Sequence, residues 1–482
     1  MKGSGELLLI SCYELGHQPS GLAGPIGFLE QAGYTPTAID VSIQGLEPAS
    51  LSRARFVGIS VPMHTALRIG LQVAGRVREQ NPQCHICFFG LYSSLNAEHL
   101  LGSVADSVIG GEFEAPLVEL VKTLSEGRDR PIEGVQKKGN PASPLLEHLP
   151  PVTPSRSSLP PLSSYAHLET AGERRAVGSV ETSRGCRHLC RHCPIPPVYG
   201  GRFFLVGQET VLEDIRQLVR LGAAHISFGD PDFLNAPNHG LRVVRRMKKE
   251  FPEVTFDFTA KIEHILKHRS LLPEFGERGC LFVVSAVESL NDGVLARLAK
   301  NHTRADVVEA FKVARACAIA LRPSLVTFSP WSGLEDVVDL FDFVEREGLI
   351  DYIDAIQFTI RLLIPPGSLL LEEPSLAPYL GPLVQESFSY QWFHPDPRVD
   401  ELQRVFSREV EQATERHEDP ETLFFQLKEI ALAAWKERIP ERIARRPRAD
   451  RTRPPRLTES WFCCAEPSEN QYAAVERGKK ST

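Results

Sequence analysis

Three cysteines, Cys186, Cys190 and Cys193, stand in a C-x3-C-x2-C spacing within the stretch ETSRGCRHLCRHC. The residues leading in, AVGSVETSRG, are a short apolar, β-branched run that ends in Arg-Gly, which reads as a strand entering a loop. Three thiolates in one compact loop form a soft ligand set, suited to iron–sulfur or to zinc. Iron–sulfur clusters are ordinarily held by four cysteines, so a three-cysteine loop leaves one iron of a four-iron cluster without a protein ligand. An open coordination position is what a catalytic metal centre keeps for its substrate. A structural zinc with His188 or His192 as fourth ligand is the competing reading of the same spacing.

A second thiol motif closes the chain. Cys463 and Cys464 are adjacent, between Trp461-Phe462 and Ala-Glu-Pro. Such a vicinal pair forms a strained, easily reduced disulfide or grips a soft metal or metalloid. The basic stretch 436–456 upstream would favour thiolates if it packs nearby. That stretch itself reads first as a solvated, proline-interrupted run, with a docking site for an acidic carrier as the other reading. The remaining cysteines, Cys12, Cys84, Cys87, Cys280 and Cys317, fall in apolar strand or helix contexts and read as small buried hydrophobes.

The elements that must position these groups follow from hydrophobic period. Residues 1–125 alternate short apolar runs (ELLLIS, TPTAIDVS, RFVGISV, HICFFG, SVIGG) with helical patterns, such as 64–79 with Leu67, Leu71 and Ala74 on one side. This alternation predicts a doubly wound, Rossmann-like parallel sheet whose ligand edge lies at the carboxyl ends of its strands. Loops 17–21, 60–65, 90–94 and 110–112 then share one rim. Residues 126–172 are a Pro/Ser-rich linker, expected to be extended and to wrap one domain against the next. Residues 173–372 repeat β-α units long enough for a partial (β/α)6 barrel, where chemistry collects at the strands' carboxyl ends. Residues 373–440 show helical spacing, as at Leu402, Phe406 and Val410, and residues 441–482 read as a basic, flexible tail.

The cysteine loop and the strand ends after it resemble the radical S-adenosylmethionine (SAM) superfamily, and the strands that deliver them imply its partial barrel. In that superfamily the open iron of a [4Fe-4S] cluster is chelated by the amino and carboxylate groups of SAM, and reduction cleaves SAM to a 5′-deoxyadenosyl radical. The resemblance implies that Cys186, Cys190 and Cys193 hold the cluster. It implies that Gly229-Asp230, at the place of a Gly-Gly-Glu-like segment, meets the SAM amino group, and that Lys261, beside Glu263, faces SAM. Glu288 and Ser289, in a Gly-x-Glu-Ser-like segment with Ala286 for the glycine, would meet the ribose or carboxylate, and the His192 backbone the adenine. Read without the resemblance, Glu288 is a carboxylate at a helix start and Asp230 and Asp232 are turn residues.

The first domain resembles the cobalamin-binding domain that precedes many radical SAM cores, VIGGEFEAPLVEL matching its Gly-Glu-rich closing segment. The Asp-x-His-x-x-Gly signature is absent; GHQPSG stands in the first loop, with His17 in a different frame. Cobalamin held without a lower histidine and a degenerate scaffold both stay open. Together, RGCRHLCRHCPIPPVYGGRF and the CCAEP ending resemble the CUAEP/CCAEP-tail radical SAM (seleno)proteins, some of which carry selenocysteine at the position of Cys464. That implies a redox-active or nucleophilic Cys463–Cys464 pair.

Composition bounds the rest. With 482 residues, 42% of them hydrophobic, the chain can bury a substantial core. A formal charge of −7 gives no general argument for nucleic acid or membrane binding, and no apolar run nears the roughly 20 residues that span a bilayer. The run in MKGSGELLLIS is too short for a signal peptide. Cysteine usage of this kind points to a reducing cytoplasm. The expected partners are an electron donor such as flavodoxin or ferredoxin and a small-molecule or peptide substrate. The expectation is a radical SAM enzyme; a cobalamin-dependent radical SAM methyltransferase and a non-enzymatic metal or metalloid binder are the alternatives.

Overall fold

The structure is a computed structural model that describes residues 1, 3, 5–440, 451, 453–459, 471, 472 and 475; Cys463 and Cys464 lie outside the described residues. The apolar runs of the first domain become β1 (Leu7–Ser11), β2 (Thr37–Asp40), β3 (Phe56–Ser60), β4 (His85–Phe89) and β5 (Ser107–Ile109). They pair in parallel in the order β2-β1-β3-β4-β5, with β6 (Val135–Gln136) antiparallel at the edge. Helices Ser20–Gln31 and Glu114–Ser125 cover one face and His64–Gln80 the other. Burial on both faces is why these strands read as unbroken apolar runs rather than alternating ones.

The linker is extended and pinned to both neighbours. Ser155 N donates to Ala23 O (2.9 Å) and Gln18 Nε2 to Pro160 O (2.9 Å). Helix Ser20–Gln31 accepts it closely because Gly27 has no side chain; a Cβ there would stand 2.4 Å from Thr153 O. Arg156, fully buried, makes a two-pronged pair with Asp214 of the second domain (Nε–Oδ1 2.9 Å, Nη2–Oδ2 2.8 Å) and also donates to Ser179 O. This bidentate geometry satisfies a charge that burial would otherwise make costly.

The second domain is a curled sheet. β8 (Glu173–Val180), β11 (His225–Phe228), β12 (Thr255–Thr259), β13 (Cys280–Glu288) and β14 (Ala320–Leu325) run parallel, while β7 (His167–Thr170) turns back antiparallel to β8. β9 (Ser183–Gly185) and β10 (Phe203–Leu205) make a small antiparallel pair at the top of β8. The outer face packs on crossover helices through Phe228, Phe233, Phe256, Phe258 and Phe275. The inner face alternates to polar groups: Ser179, Ser227 and Asp257 lie side by side in register.

Where YIDAIQFTIRLL predicts a closing strand, a 3-10 turn over Ala355–Thr359 stands, joined by the single bridge Phe328–Arg361. Gln357 supplies what a ladder would: its Oε1 accepts from Leu325 N (2.9 Å) and its carbonyl from Thr327 Oγ1 (2.9 Å). Beyond it come the hairpin β15 (Leu380–Val384)/β16 (Ser389–Trp392) and helices Pro397–Glu415 and Pro420–Trp435, which pack on the sheet's aromatic core. The described part of the basic segment is docked rather than solvated. Arg451 pairs with Asp351, Asp419 and Glu421 at 2.8–2.9 Å, and β17 (Arg456–Leu457) adds to β7. No described helix is long and apolar enough to cross a membrane.

Candidate active site

The cysteine loop leaves β9 at Gly185. Its φ of +74° is a left-handed conformation, and a Cβ there would meet Tyr199 and Arg202 O at 2.6 and 2.5 Å, so glycine is required. The loop is anchored by Arg191 N to Leu298 O (3.0 Å), Ser368 Oγ to Arg191 O (3.1 Å) and Arg187 stacked over Phe203. Cys186 and Cys190 are buried and Cys193 half-buried, and Asn235 Nδ2 lies 3.5 Å from Cys186 Sγ. Burial pushes the Cys186 and Cys193 thiols up, and the neighbouring Cys190 adds to both. Buried Lys300 interacts electrostatically with both Cys190 and Cys193. A nearby cation favours thiolate ligands.

His188 is committed away from the thiols, whereas His192 uses one ring nitrogen and its Nδ1 is buried without a hydrogen-bond partner among the described residues. His188 uses both ring nitrogens elsewhere: Nδ1 faces Lys261 Nζ (3.1 Å) and Nε2 faces His264 Nε2 (3.1 Å). His192 Nε2 bonds Glu288 Oε1 (3.1 Å). The donor set fits a cluster with three thiolate ligands and one open iron.

Glu288 is the strained residue of the site. It sits at a bulge in β13 with φ +65°, rare for a side-chain-bearing residue. Its Oε1 accepts from Lys300 Nζ as well as His192, both at 3.1 Å. Burial opposes its charge, but Lys300 and His192 more than offset that and hold the carboxyl far below the usual range. Both oxygens of Asp230 are used internally, by Thr182 N, Thr182 Oγ1 and Ser183 Oγ, and burial pushes its carboxyl up to about 6. Gly229 beside it is exposed, so the backbone there is accessible. Ser289 Oγ accepts from Asn291 N (3.1 Å), a turn bond.

Lys261 is buried and links Glu263 (3.1 Å) to His188; His264 Nδ1 stands 2.9 Å from Asp232 Oδ2. His188, Asp232 and His264 bring one ligand atom each within 4.8 Å of one another. The Lys261 ammonium against His188 disfavours a second dication there, since like charges repel. Burial, with Lys261, pulls the His188 imidazole down to about 4. Sequence reasoning singled out neither His264 nor Lys300. Both stand in stretches it had placed at strand ends (FTAKIEHI, LAKNHT), but a lone His or Lys gives no signal before the fold sets its partners.

The rim of the first domain is filled by the chain. Cys12, Tyr13, Ser60, Val61 and Gly90 are buried. A Cβ on Gly110 would meet Ser94 Cβ at 2.5 Å, and one on Gly111 would meet Leu145 O at 2.2 Å. His17 is within electrostatic reach of the barrel's Asp257 and His225, and burial lowers its imidazole. At Gly110 and Gly111 the rim is packed against Ser94 and Leu145. Cys12, Cys84, Cys87 and Cys280 are buried, with thiols that burial pushes up, as inert structural cysteines are.

Comparison with known proteins gives the class. Residues 180–344 match the family model described as Radical SAM superfamily, so this stretch of the chain is a radical SAM domain. It is similar to an uncharacterized methyltransferase of Pyrococcus horikoshii (26% identical; 54% of this chain, 56% of that protein). It is also similar to the hopanoid C-3 methylase of Methylococcus capsulatus (23% identical; 65% of this chain, 62% of that protein). The chain thus spans only 56 and 62% of the lengths of these relatives. In fold it resembles the cobalamin-dependent SAM radical enzyme OxsB with aqua-cobalamin bound (TM-score 0.65, 15% identity, 89% of this chain and 75% of that one). It also resembles the radical SAM methyltransferase TsrM of Kitasatospora setae (TM-score 0.56, 16% identity, 71 and 70%).

Proposed function

We propose that this protein is a radical SAM methyltransferase with the two-domain architecture of the cobalamin-dependent enzymes, acting on an unreactive carbon of a small molecule or peptide. The observation that carries the radical SAM part is the three-thiol loop of Cys186, Cys190 and Cys193, two of them buried, set against Lys300 and Glu288. Methyl transfer is supported by what the relatives and TsrM are named for, and by the shared order of Rossmann-like domain and half-barrel. When bound, the cluster and SAM supply a 5′-deoxyadenosyl radical. The chain's residues bind, orient and exclude water. Cys186, Cys190 and Cys193 hold three irons, and Lys300 balances the thiolate charge. The accessible backbone at Gly229, beside Asp230, receives the SAM amino group. His192 and Ser289, next to Glu288, border the adenosine side. Lys261, tied to Glu263 and the His188–His264–Asp232 chain, fixes the loop that carries Cys186 and Cys190. An external one-electron donor of the flavodoxin or ferredoxin kind supplies the reductant. Cys463 and Cys464 serve as a redox-active tail pair of the CUAEP/CCAEP type, in a reducing cytoplasm.

Cobalamin is the part of this reading that the closed rim opposes, because a corrin over Gly110 and Gly111 requires the linker near Leu145 to move. Expression with hydroxocobalamin, anaerobic purification and corrin absorbance test it. Stoichiometric corrin supports cobalamin-dependent methyl transfer; protein that forms 5′-deoxyadenosine without corrin rejects that part and keeps the radical SAM core.

A further inference from the structure

A cavity of about 260 Å³ lies at the seam between the two domains. One wall is apolar, with Phe28, Leu149, Val152 and Phe204; the other carries Glu112, Glu114, Glu181 and Arg184. The carboxylates come from separate elements: Glu112 and Glu114 from the turn after β5, Glu181 from the end of β8. Arg184 Nη1 lies 2.6 Å from Glu114 Oε1 and 3.5 Å from Glu112 Oε2, and its Nε 2.9 Å from Glu181 Oε2. Glu112 Oε1 also accepts from Tyr199 OH (3.0 Å). One guanidinium thus faces three carboxylates, and the nearby Arg156 is already matched by Asp214.

Glu114 is the group the chain leaves unfinished. Its side chain is 1% exposed, it lines the cavity, and its Oε2 has no hydrogen-bond partner among the described residues. A buried carboxylate oxygen without a partner costs free energy that a donor entering the cavity would recover. Arg184 is on Oε1, which leaves Oε2 to a donor that enters the cavity, and three carboxylates against one guanidinium favour a cationic one. A bare dication prefers six or more oxygen ligands and a site free of competing positive charge; Arg184 among the carboxylates and the apolar opposite wall do not suit it.

We propose that this cavity binds an organic amine, its ammonium group on Glu114 and Glu112 and its carbon body against Phe28, Leu149, Val152 and Phe204. The volume is slightly below the roughly 300–1,000 Å³ of ordinary small-molecule pockets, which suits a compact aralkyl amine. The site goes beyond the proposed reaction and does not depend on it. Its position ties it to the cluster loop all the same, because Arg184 precedes Cys186 and Tyr199 follows Cys193 in that loop's two flanks. Protonation supports the assignment. Burial pushes the Glu112 carboxyl up to about 7, opposed by Arg184 and aided by Glu114 and Glu181. The other charged or titratable groups facing it are Tyr199 and, across the cavity, His148. An ammonium would displace that proton, so binding should tighten as pH rises from 6 to 8.

The test is calorimetric titration of the full, cluster-reconstituted chain with phenethylammonium chloride, and in parallel with phenethyl alcohol and with magnesium and calcium chlorides. The expected result is saturable amine binding with proton release near neutral pH, at least tenfold weaker in Glu114→Gln. Val152→Trp, which fills the cavity without touching a carboxylate, should weaken it to a similar degree. Thermal melts check that both variants fold. The proposal is overturned by alcohol binding as tightly as amine, by a folded Glu114→Gln that binds normally, by metal ions that bind and displace the amine, or by no amine binding at millimolar concentration.

Discussion

Two parallel sheets in this chain end their strands on two rims, and the rims are furnished in opposite ways. At the Rossmann-like rim the strand ends meet the chain's own side chains and linker: Gly110 abuts Ser94 and Gly111 abuts Leu145. At the half-barrel rim the strand ends carry buried thiols, a carboxylate with φ +65° and a buried lysine. Topology says where a site can be in both sheets; only the residues grafted there say whether one exists. Strain and buried, paired charge gather at the second rim, as they do where backbone and electrostatics are shaped for a ligand.

The largest effect that would sharpen this contrast is at the thiols. Replacing Cys186, Cys190 or Cys193 with alanine should remove the cluster and abolish 5′-deoxyadenosine formation, read by iron and sulfide analysis and mass spectrometry. The same change at Cys84 or Cys87, whose thiols burial pushes up to about 12, should leave both readouts intact. Next is the Lys300–Glu288 pair, with side chains 2% and 7% exposed. Lys300→Met strands a buried carboxylate and should cost about 3–5 kcal/mol in urea unfolding, and adding Glu288→Gln should recover part of it.

A smaller effect sits at the seam. Glu112 keeps its proton in the folded state up to about pH 7, whereas the unfolded chain gives it up near the ordinary glutamate value of 4.5. Because the folded state binds more protons in that window, stability falls as pH rises from 4.5 to 7, by no more than about 1.4 kcal/mol per pH unit. Glu112→Gln should flatten that slope in urea midpoints taken across the window. The smallest effect is at a pair far from both rims. Arg245 and Glu274 are 51% and 26% exposed, and Arg245→Ala should leave the urea midpoint essentially unchanged. A large effect there would mean that exposed pairs carry this fold.

The sequence made the strands of the first sheet legible because runs such as LLLIS and HICFF are almost wholly apolar, and it made the cluster loop legible because thiols at that spacing have few other uses. It did not show the 3-10 turn at Ala355–Thr359, since Gln357 replaces strand bonds through its side chain, a tertiary event without periodicity. It read the basic segment as solvated because Asp351, Asp419 and Glu421, which hold Arg451, are brought together only by folding. Asp230 was legible as a polar strand end but not as a residue whose oxygens Thr182 and Ser183 already occupy.

The central claim is that the three-thiol loop holds a cluster whose fourth iron is open to SAM. Electron paramagnetic resonance of the dithionite-reduced, anaerobically reconstituted chain, recorded with and without SAM, tests it most directly. The account predicts a reduced [4Fe-4S] signal whose g-values shift when SAM is added and which is lost in Cys190→Ala. A spectrum indifferent to SAM, or zinc in place of iron, would contradict it.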